Sequence, residues 1–280
     1  MARWFVTGIR GQLGAALARR LPGGEVAGAD LPELDVRDAA AVREAIGRER
    51  PSVVVHCAAM TDVDGCARNP SLACAINAGG TENVAGAAAE SGADLVYVGT
   101  NEVFDGEKDG PYSETDAVAP VNAYGRSKLD GEEIAIRLQP RSWIVRTAWL
   151  YGAGGRNFVH RILEAADSGR ALRVVADETS SPTWTEDLAA AILHFVARTP
   201  HGVYHAAGLG GCSRFEMARA ALDLSGRAGV PIEPITSADW PRASRPPRRT
   251  VLDCSKALAA GAPLRPWREA LAAFLGERRP

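Results

Sequence analysis

A chain of 280 residues with 46% hydrophobic and 24% charged side chains can bury a substantial core, as one large domain or two small ones. A formal net charge of -2 excludes a general attraction to nucleic acid or anionic membrane, and no apolar run approaches the roughly 20 residues of a spanning helix. Cys57, Cys66, Cys74, Cys212 and Cys254 show no C-x-x-C spacing, the histidines form no H-x-x-x-H pair, and Met1-Ala-Arg-Trp lacks a long apolar core. Reduced thiols, no metal site and a cytoplasmic address are therefore expected.

Arg3-Trp-Phe-Val-Thr7 reads as a short apolar strand, followed at once by Gly8-Ile-Arg10-Gly11-Gln12-Leu13-Gly14. An alanine-rich helical run, Ala15–Leu21, comes next and stops at Pro22-Gly23-Gly24. Strand, glycine turn and helix is the context of a dinucleotide-binding loop, here spaced G-x-x-G-x-x-G. Gly8 and Gly11 let the backbone turn tightly against a pyrophosphate, whose charge the helix N-terminus attracts, and Gly14 lets the helix lie on the strand. Arg10, Gln12 and Leu13 complete the expected loop contacts.

Glu25–Ala29 reads as the second strand and ends at Asp30, whose carboxylate suits ribose hydroxyls and NAD(H). Arg10 could instead meet a 2′-phosphate and favour NADP(H), so both NADH and NADPH stay open. Arg37–Glu49 is helical, Ser52–Cys57 a strand, and Ala73–Ser91 helical. Asp35 and Val36, with Ala58, Ala59 and Met60 after the third strand, fall where loops flank adenine and nicotinamide ribose. Asp94–Gly99 then reads as a strand, Asn122–Leu138 as a helix and Ser142–Ala148 as a strand. Such alternation argues for an α/β fold, a doubly wound parallel sheet of the Rossmann type with helices on both faces. After Tyr151 the regularity weakens. Residues 1–150 are expected to form the dinucleotide-binding domain, with a return near 183–197, and 151–280 mostly a smaller substrate-binding lobe.

Pro120-Val-Asn-Ala-Tyr124-Gly-Arg-Ser-Lys128 carries the chemistry. Residues four apart share a helical face. A lysine there favours the phenolate of a tyrosine whose unperturbed pKa is about 10, preparing it to give a proton to a carbonyl oxygen near neutral pH. Lys108, Lys128 and Lys256 are the only lysines, although Lys+Arg is 32. Thr100 closes the strand 94–99, at the carboxyl edge where doubly wound sheets bind ligands, and can bond the same carbonyl oxygen.

With these motifs in hand, the chain resembles an extended short-chain dehydrogenase/reductase of the dTDP-4-dehydrorhamnose reductase family. The likeness runs through Gly8–Gly14, His56–Asp64, Asn77–Thr81, Pro120–Lys128, Arg146–Gly152 and Gly154–Phe158. It continues through Ser181–Trp184, Tyr204–Gly208, Cys212–Glu216 and the stretch from Arg245-Pro to Asp253. It implies hydride delivery from NADH or NADPH to C4 of a nucleotide-bound 4-keto-6-deoxyhexose, with Tyr124 as proton donor. Lys128 would also hold the nicotinamide ribose. Thr100 and Asn101 would touch the sugar, with Trp149 lining its pocket and Asn157 a further contact. Arg242, Arg245, Arg248 and Arg249 crowd a proline-rich loop, and their planar forks suit a diphosphate. Arg245, in the family's Arg-Pro motif, is the one the resemblance selects. Family members can pair as homodimers.

One departure stands out. The family pattern Ser-Thr-Asp-Tyr is Gly99-Thr100-Asn101-Glu102 here, replacing a carboxylate at position 101 and adding one at 102. Glu102 resembles sugar-nucleotide 4,6-dehydratases, which makes such an elimination the alternative reaction. A second alternative is a regulatory partner without catalysis, like the regulatory subunit of methionine adenosyltransferase.

Overall fold

The computed structural model describes residues 4–21 and 24–277, so Arg3, Pro22 and Gly23 of the first expected strand and turn lie outside the described residues. Among the described residues, six strands form the central sheet: β1 (Trp4–Thr7), β2 (Val26–Ala29), β3 (Val53–His56), β4 (Asp94–Thr100), β5 (Ser142–Thr147) and β6 (Gly202–His205). Their order is β6-β5-β4-β3-β1-β2 and every neighbouring pair is parallel. This is a doubly wound α/β fold.

Strand residues project alternately to opposite faces, and here both faces are covered. Trp4, Val6, Val53, Val55, Val96 and Val145 pack one way, against Leu13 and Leu17 of α1 (Gln12–Arg20). Phe5, Val54, Leu95, Tyr97 and Ile144 pack the other way, against Ile46 of α2 (Ala39–Glu49) and Val84 and Ala88 of α3 (Gly80–Ser91). The helix that bears Tyr124, α4 (Ala123–Leu138), lies beside α3 on that second face.

A second core gathers residues from α5 (Phe158–Asp167), α7 (Arg214–Leu224) and α8 (Trp267–Gly276): Val159, Ile162, Leu163, Met217, Leu222, Leu271 and Phe274. Between α5 and α7 the chain goes back to the sheet. There α6 (Thr185–Arg198) puts Leu188, Ile192 and Phe195 on the α1 face, and β6 extends the sheet beyond β5.

The stretch expected as one helix over Ala73–Ser91 is more elaborate. A short helix, Pro70–Cys74, runs into a π-helical turn at Ala75–Gly79 before α3 begins. A π turn inserts one residue and rotates the next helical turns about the axis, a device common at functional sites. Its effect is to bury Asn77, whose amide donates to Met60 O at 3.1 Å and Ser127 Oγ at 2.9 Å and whose oxygen accepts Met60 N–H at 2.8 Å. Ser127 Oγ in turn donates to Tyr124 O at 2.9 Å. One side chain thereby ties the loop after β3 to the helix of Tyr124.

Candidate active site

The carboxyl ends of β1, β3, β4 and β5 open into one cleft of about 1010 Å³ that runs from the glycine loop to the second lobe. Gly8 sits at φ +70°, left-handed backbone that favours glycine, and a Cβ there would lie 2.8 Å from Ala58 N. A Cβ on Gly14 would lie 2.3 Å from Gly8 O. At Gly8 and Gly14 the cradle therefore has no room for a side chain. Gly11 caps α1 without a side-chain hydrogen bond, and no acidic residue stands in the first turn. The helix therefore presents unpaired N–H groups and its positive end to the cleft. This surface fits a dinucleotide pyrophosphate.

Of the expected cofactor contacts, Gly8, Gly11, Gln12, Leu13, Gly14, Asp30, Asp35, Val36, Ala58, Ala59, Met60, Tyr124 and Lys128 all line the cleft. Arg10 does not. Its guanidinium pairs with Glu33 at 2.5 Å and donates to Leu31 O at 3.0 Å, because it projects over the loop after β2.

The floor beneath Lys128 is a chain of satisfied polar groups. Thr81 Oγ1 donates its only proton to Asn77 O, so it accepts from His56 Nε2–H at 3.1 Å. His56 Nδ1 must then accept from Thr7 Oγ1 at 2.8 Å. Burial and the nearby Lys128 charge hold this histidine neutral, drawing its pKa down to about 3. Tyr97 donates its hydroxyl to Lys128 O at 2.7 Å, and Lys128 Nζ lies 4.2 Å from the centroid of the same ring. Burial brings the Lys128 pKa down to about 8, opposed by Cys57 and Glu132.

Tyr124 lies where the sequence places it, but its electrostatics differ from the expectation. Burial and then the Glu102 carboxylate raise its pKa, while a hydrogen bond with Thr100 works the other way. The Lys128 ammonium lies over the Tyr97 ring, 4.2 Å from its centroid. The phenol is therefore protonated throughout the neutral range, the state a proton donor needs.

Thr100 lines the cleft and accepts Glu102 N–H at 3.2 Å. Asn101 also lines it, yet its amide protons go to Ser180 Oγ at 3.1 Å and Thr250 Oγ1 at 2.6 Å. The amide in place of the family's carboxylate thus fastens the end of β4 to the second lobe. Asn157 is similarly engaged, donating to Gln12 Oε1 at 2.8 Å and Gly152 O at 2.9 Å while capping α5. Trp149 lines the cleft with φ +43°, an uncommon backbone for a bulky residue.

Arg245 does not reach the cleft; its backbone O accepts Asn122 Nδ2–H at 3.3 Å and its side chain is exposed. Arg242, three residues earlier, lines it instead, steadied by Asp64 at 3.1 Å. Arg214, which sequence reading passed over inside Cys212–Glu216, stacks its guanidinium 3.5 Å from the Trp149 ring centroid. Burial lowers its pKa to about 10, leaving it charged. Arg156 and Arg161 line the same end. Glu102 takes Asn122 Nδ2–H at 2.6 Å, and burial raises its pKa against the pull of Asn122, Arg214 and Arg242. The cleft thus has a cradle for pyrophosphate at one end, cations at the other, and a protonated tyrosine between them.

The family described as RmlD substrate binding domain matches residues 2–279. The chain belongs to that family. It is 40% identical over 278 residues to a dTDP-4-dehydrorhamnose reductase of Streptomyces griseus, covering 96% of this chain and 91% of that one. A solved dTDP-4-dehydrorhamnose reductase of Clostridium acetobutylicum superposes with a TM-score of 0.94 at 38% identity, over 98% of both chains. Another, of Bacillus anthracis in complex with NADP, gives 0.95 at 34% identity over 99% of this chain and 100% of that one.

Proposed function

We propose that this protein is an NAD(P)H-dependent oxidoreductase that reduces the C4 ketone of a dTDP-linked 4-keto-6-deoxyhexose. The observation that carries the reading is the single cleft in which Tyr124, Thr100 and Lys128 share a wall with the glycine cradle. The family and its named relatives supply the substrate class.

When bound along the glycine cradle, a reduced nicotinamide would supply the hydride that the carbonyl carbon needs. Tyr124 gives its hydroxyl proton to the carbonyl oxygen as the π bond breaks, so ketone, hydride and proton sum to a secondary alcohol. Thr100 shares that oxygen and fixes the direction of the carbonyl. The Lys128 ammonium, which lines the same cleft, would hold ribose hydroxyls of the dinucleotide. Arg214 and Arg242 hold the substrate's diphosphate, and Trp149, braced by Arg214, closes one side of the sugar pocket.

Half-buried Glu102, facing the same cleft, favours elimination as the second reading. Stoichiometry separates the two. Reduction consumes one NAD(P)H per sugar converted. Conversion of a 4-keto-6-deoxy sugar nucleotide without that consumption, or dehydration of a 4-hydroxy precursor, would replace the reductase reading.

A further inference from the structure

A hexose presents hydroxyl groups that donate, so the sugar end of the cleft must offer acceptors as well as cations. Most polar groups that follow β3 and β4 in the lining are already engaged. Buried Asn101 gives its amide protons to Ser180 and Thr250, and its oxygen takes Thr100 Oγ1 at 3.3 Å. Asp64 takes Arg242 Nε at 3.1 Å and Ser244 N–H at 2.9 Å, and Asp62 is exposed. Glu102 differs. It is half-buried and lines both the cleft and a recess of about 40 Å³ beside it. Asn122 Nδ2–H reaches Oε2 at 2.6 Å, and no other hydrogen bond or ion pair reaches the carboxylate among the described residues. Oε1 therefore keeps its lone pairs for a further donor.

Its place is fixed against Tyr124 from both sides. Asn122, which holds the carboxylate, stands two residues before the tyrosine, and a Cβ on Gly125, the residue after it, would collide with Glu102 O. Glu102 N–H donates to Thr100 Oγ1 at 3.2 Å. The carboxylate thus stands beside the two hydroxyls that take the ketone oxygen. Of the carbons flanking C4 in a 4-keto-6-deoxyhexose, C5 carries a methyl group and C3 a hydroxyl, so only C3 offers a donor. We propose that Glu102 is a specificity-determining residue: its carboxylate accepts the C3 hydroxyl, and the chain selects 4-keto sugar nucleotides with a free 3-hydroxyl over their 3-deoxy counterparts. A 3-deoxy sugar leaves the half-buried carboxylate shielded from water by a methylene and without a donor. Elimination across C5 and C6 would turn the other side of the ring toward Glu102, because a base must then meet C5.

The proposal rests on the reductase reading for the placement of C4 and deepens it by naming the substrate class. Its test compares NAD(P)H oxidation with a dTDP-4-keto-6-deoxyhexose and with its 3-deoxy counterpart, in wild type, Glu102→Leu and Glu102→Gln. Wild type is expected to favour the 3-hydroxy sugar by at least about tenfold in kcat/KM, as a hydrogen bond to a charged group allows. Glu102→Leu should bring that ratio to within about threefold of unity. Glu102→Gln keeps the shape and the bond from Asn122 but offers only a neutral partner, and should give an intermediate ratio, at least about threefold below wild type. Deleting the hydroxyl from the sugar and the carboxylate from the protein forms a cycle whose coupling isolates their contact. A merely structural role would slow both sugars alike. Equal use of the two sugars by wild type, or a ratio unmoved in both variants, overturns the proposal. Absence of turnover with either sugar counts against the reductase reading instead, and the same ratio, read from calorimetric dissociation constants of the two sugar nucleotides, still decides the role of Glu102.

Discussion

Lys128 shows how one residue can trade stability for a site. Its side chain is buried, with the residue 4% exposed, and burial costs the charged form enough to bring its pKa from 10.5 to about 8. Between those values the unfolded chain holds more protons than the folded one, so stability rises with pH over roughly 8 to 10.5, and the cost is fully present below 8. Lys128→Met is therefore expected to stabilise the ligand-free protein at pH 7, by up to about 3 kcal/mol at 1.36 kcal/mol per pKa unit, while weakening dinucleotide binding. Urea denaturation and a dinucleotide titration check the two halves separately. A destabilised Met variant would mean that the ring contact with Tyr97 outweighs desolvation.

The arginines at the other end invite a kinetic test. Arg214→Gln removes the cation stacked on Trp149. A charge-assisted contact to diphosphate is worth roughly 1.5–3 kcal/mol, so KM for the sugar nucleotide should rise about tenfold or more, with the NADH dissociation constant unchanged. Loss of dinucleotide affinity instead would place Arg214 at the wrong end of the cleft. Arg214 was not separable in the sequence from the other arginines, and Arg242 only as one of four in its loop, because only the folding of α7 and the proline-rich loop over the cleft brings the two together. Arg245 fits a motif equally well, yet three residues of loop turn it away.

At the scale of the element, α4 must hold Tyr124 and Lys128 in register with β4. Asn122 caps it, accepting Gly125 N–H at 2.8 Å, and Asn77 fastens it through Ser127. Its far half is locked by Glu132, which takes Arg146 Nε at 3.0 Å and Nη2 at 2.5 Å, with side chains only 4% and 6% exposed. Removing one partner of such a pair strands a buried charge. Glu132→Ala is expected to cost about 3–5 kcal/mol, whereas replacing both residues with apolar ones should cost much less. Thermal unfolding of the single and double variants measures the difference. Most strands and helices of the first 150 residues were legible because apolar runs and the glycine and proline breaks between them are local signals. The π turn was not, since Ala75–Gly79 has ordinary helical composition and its register is set by where Asn77 finds partners. The fate of Arg10 was equally hidden: its guanidinium is decided by Glu33, more than twenty residues away along the chain.

For the whole molecule, the sheet domain meets the second lobe through cleft-lining side chains, Gln12 to Asn157 and Asn101 to the buried Ser180 and Thr250. Its parallel pairing could be read from alternating apolar strands and helices, but the contribution of β6 to the sheet edge is a long-range event with no local signature. Acid should loosen this core through His56. Its folded pKa is depressed to about 3, so its contribution is complete above the unfolded value of 6.5 and is lost progressively between 6.5 and 3. The slope of stability against pH in that window should be shallower in His56→Gln, whose amide keeps donor and acceptor but does not titrate. Identical slopes would assign acid sensitivity to other groups.

Tyr124→Phe deletes only the hydroxyl that this chemistry requires. Assayed by NADH or NADPH oxidation with a dTDP-4-keto-6-deoxyhexose, the variant should lose at least about 100-fold in kcat, the minimum typical of a positioned acid, while binding dinucleotide as wild type does. Turnover at the wild-type rate would contradict proton donation by Tyr124.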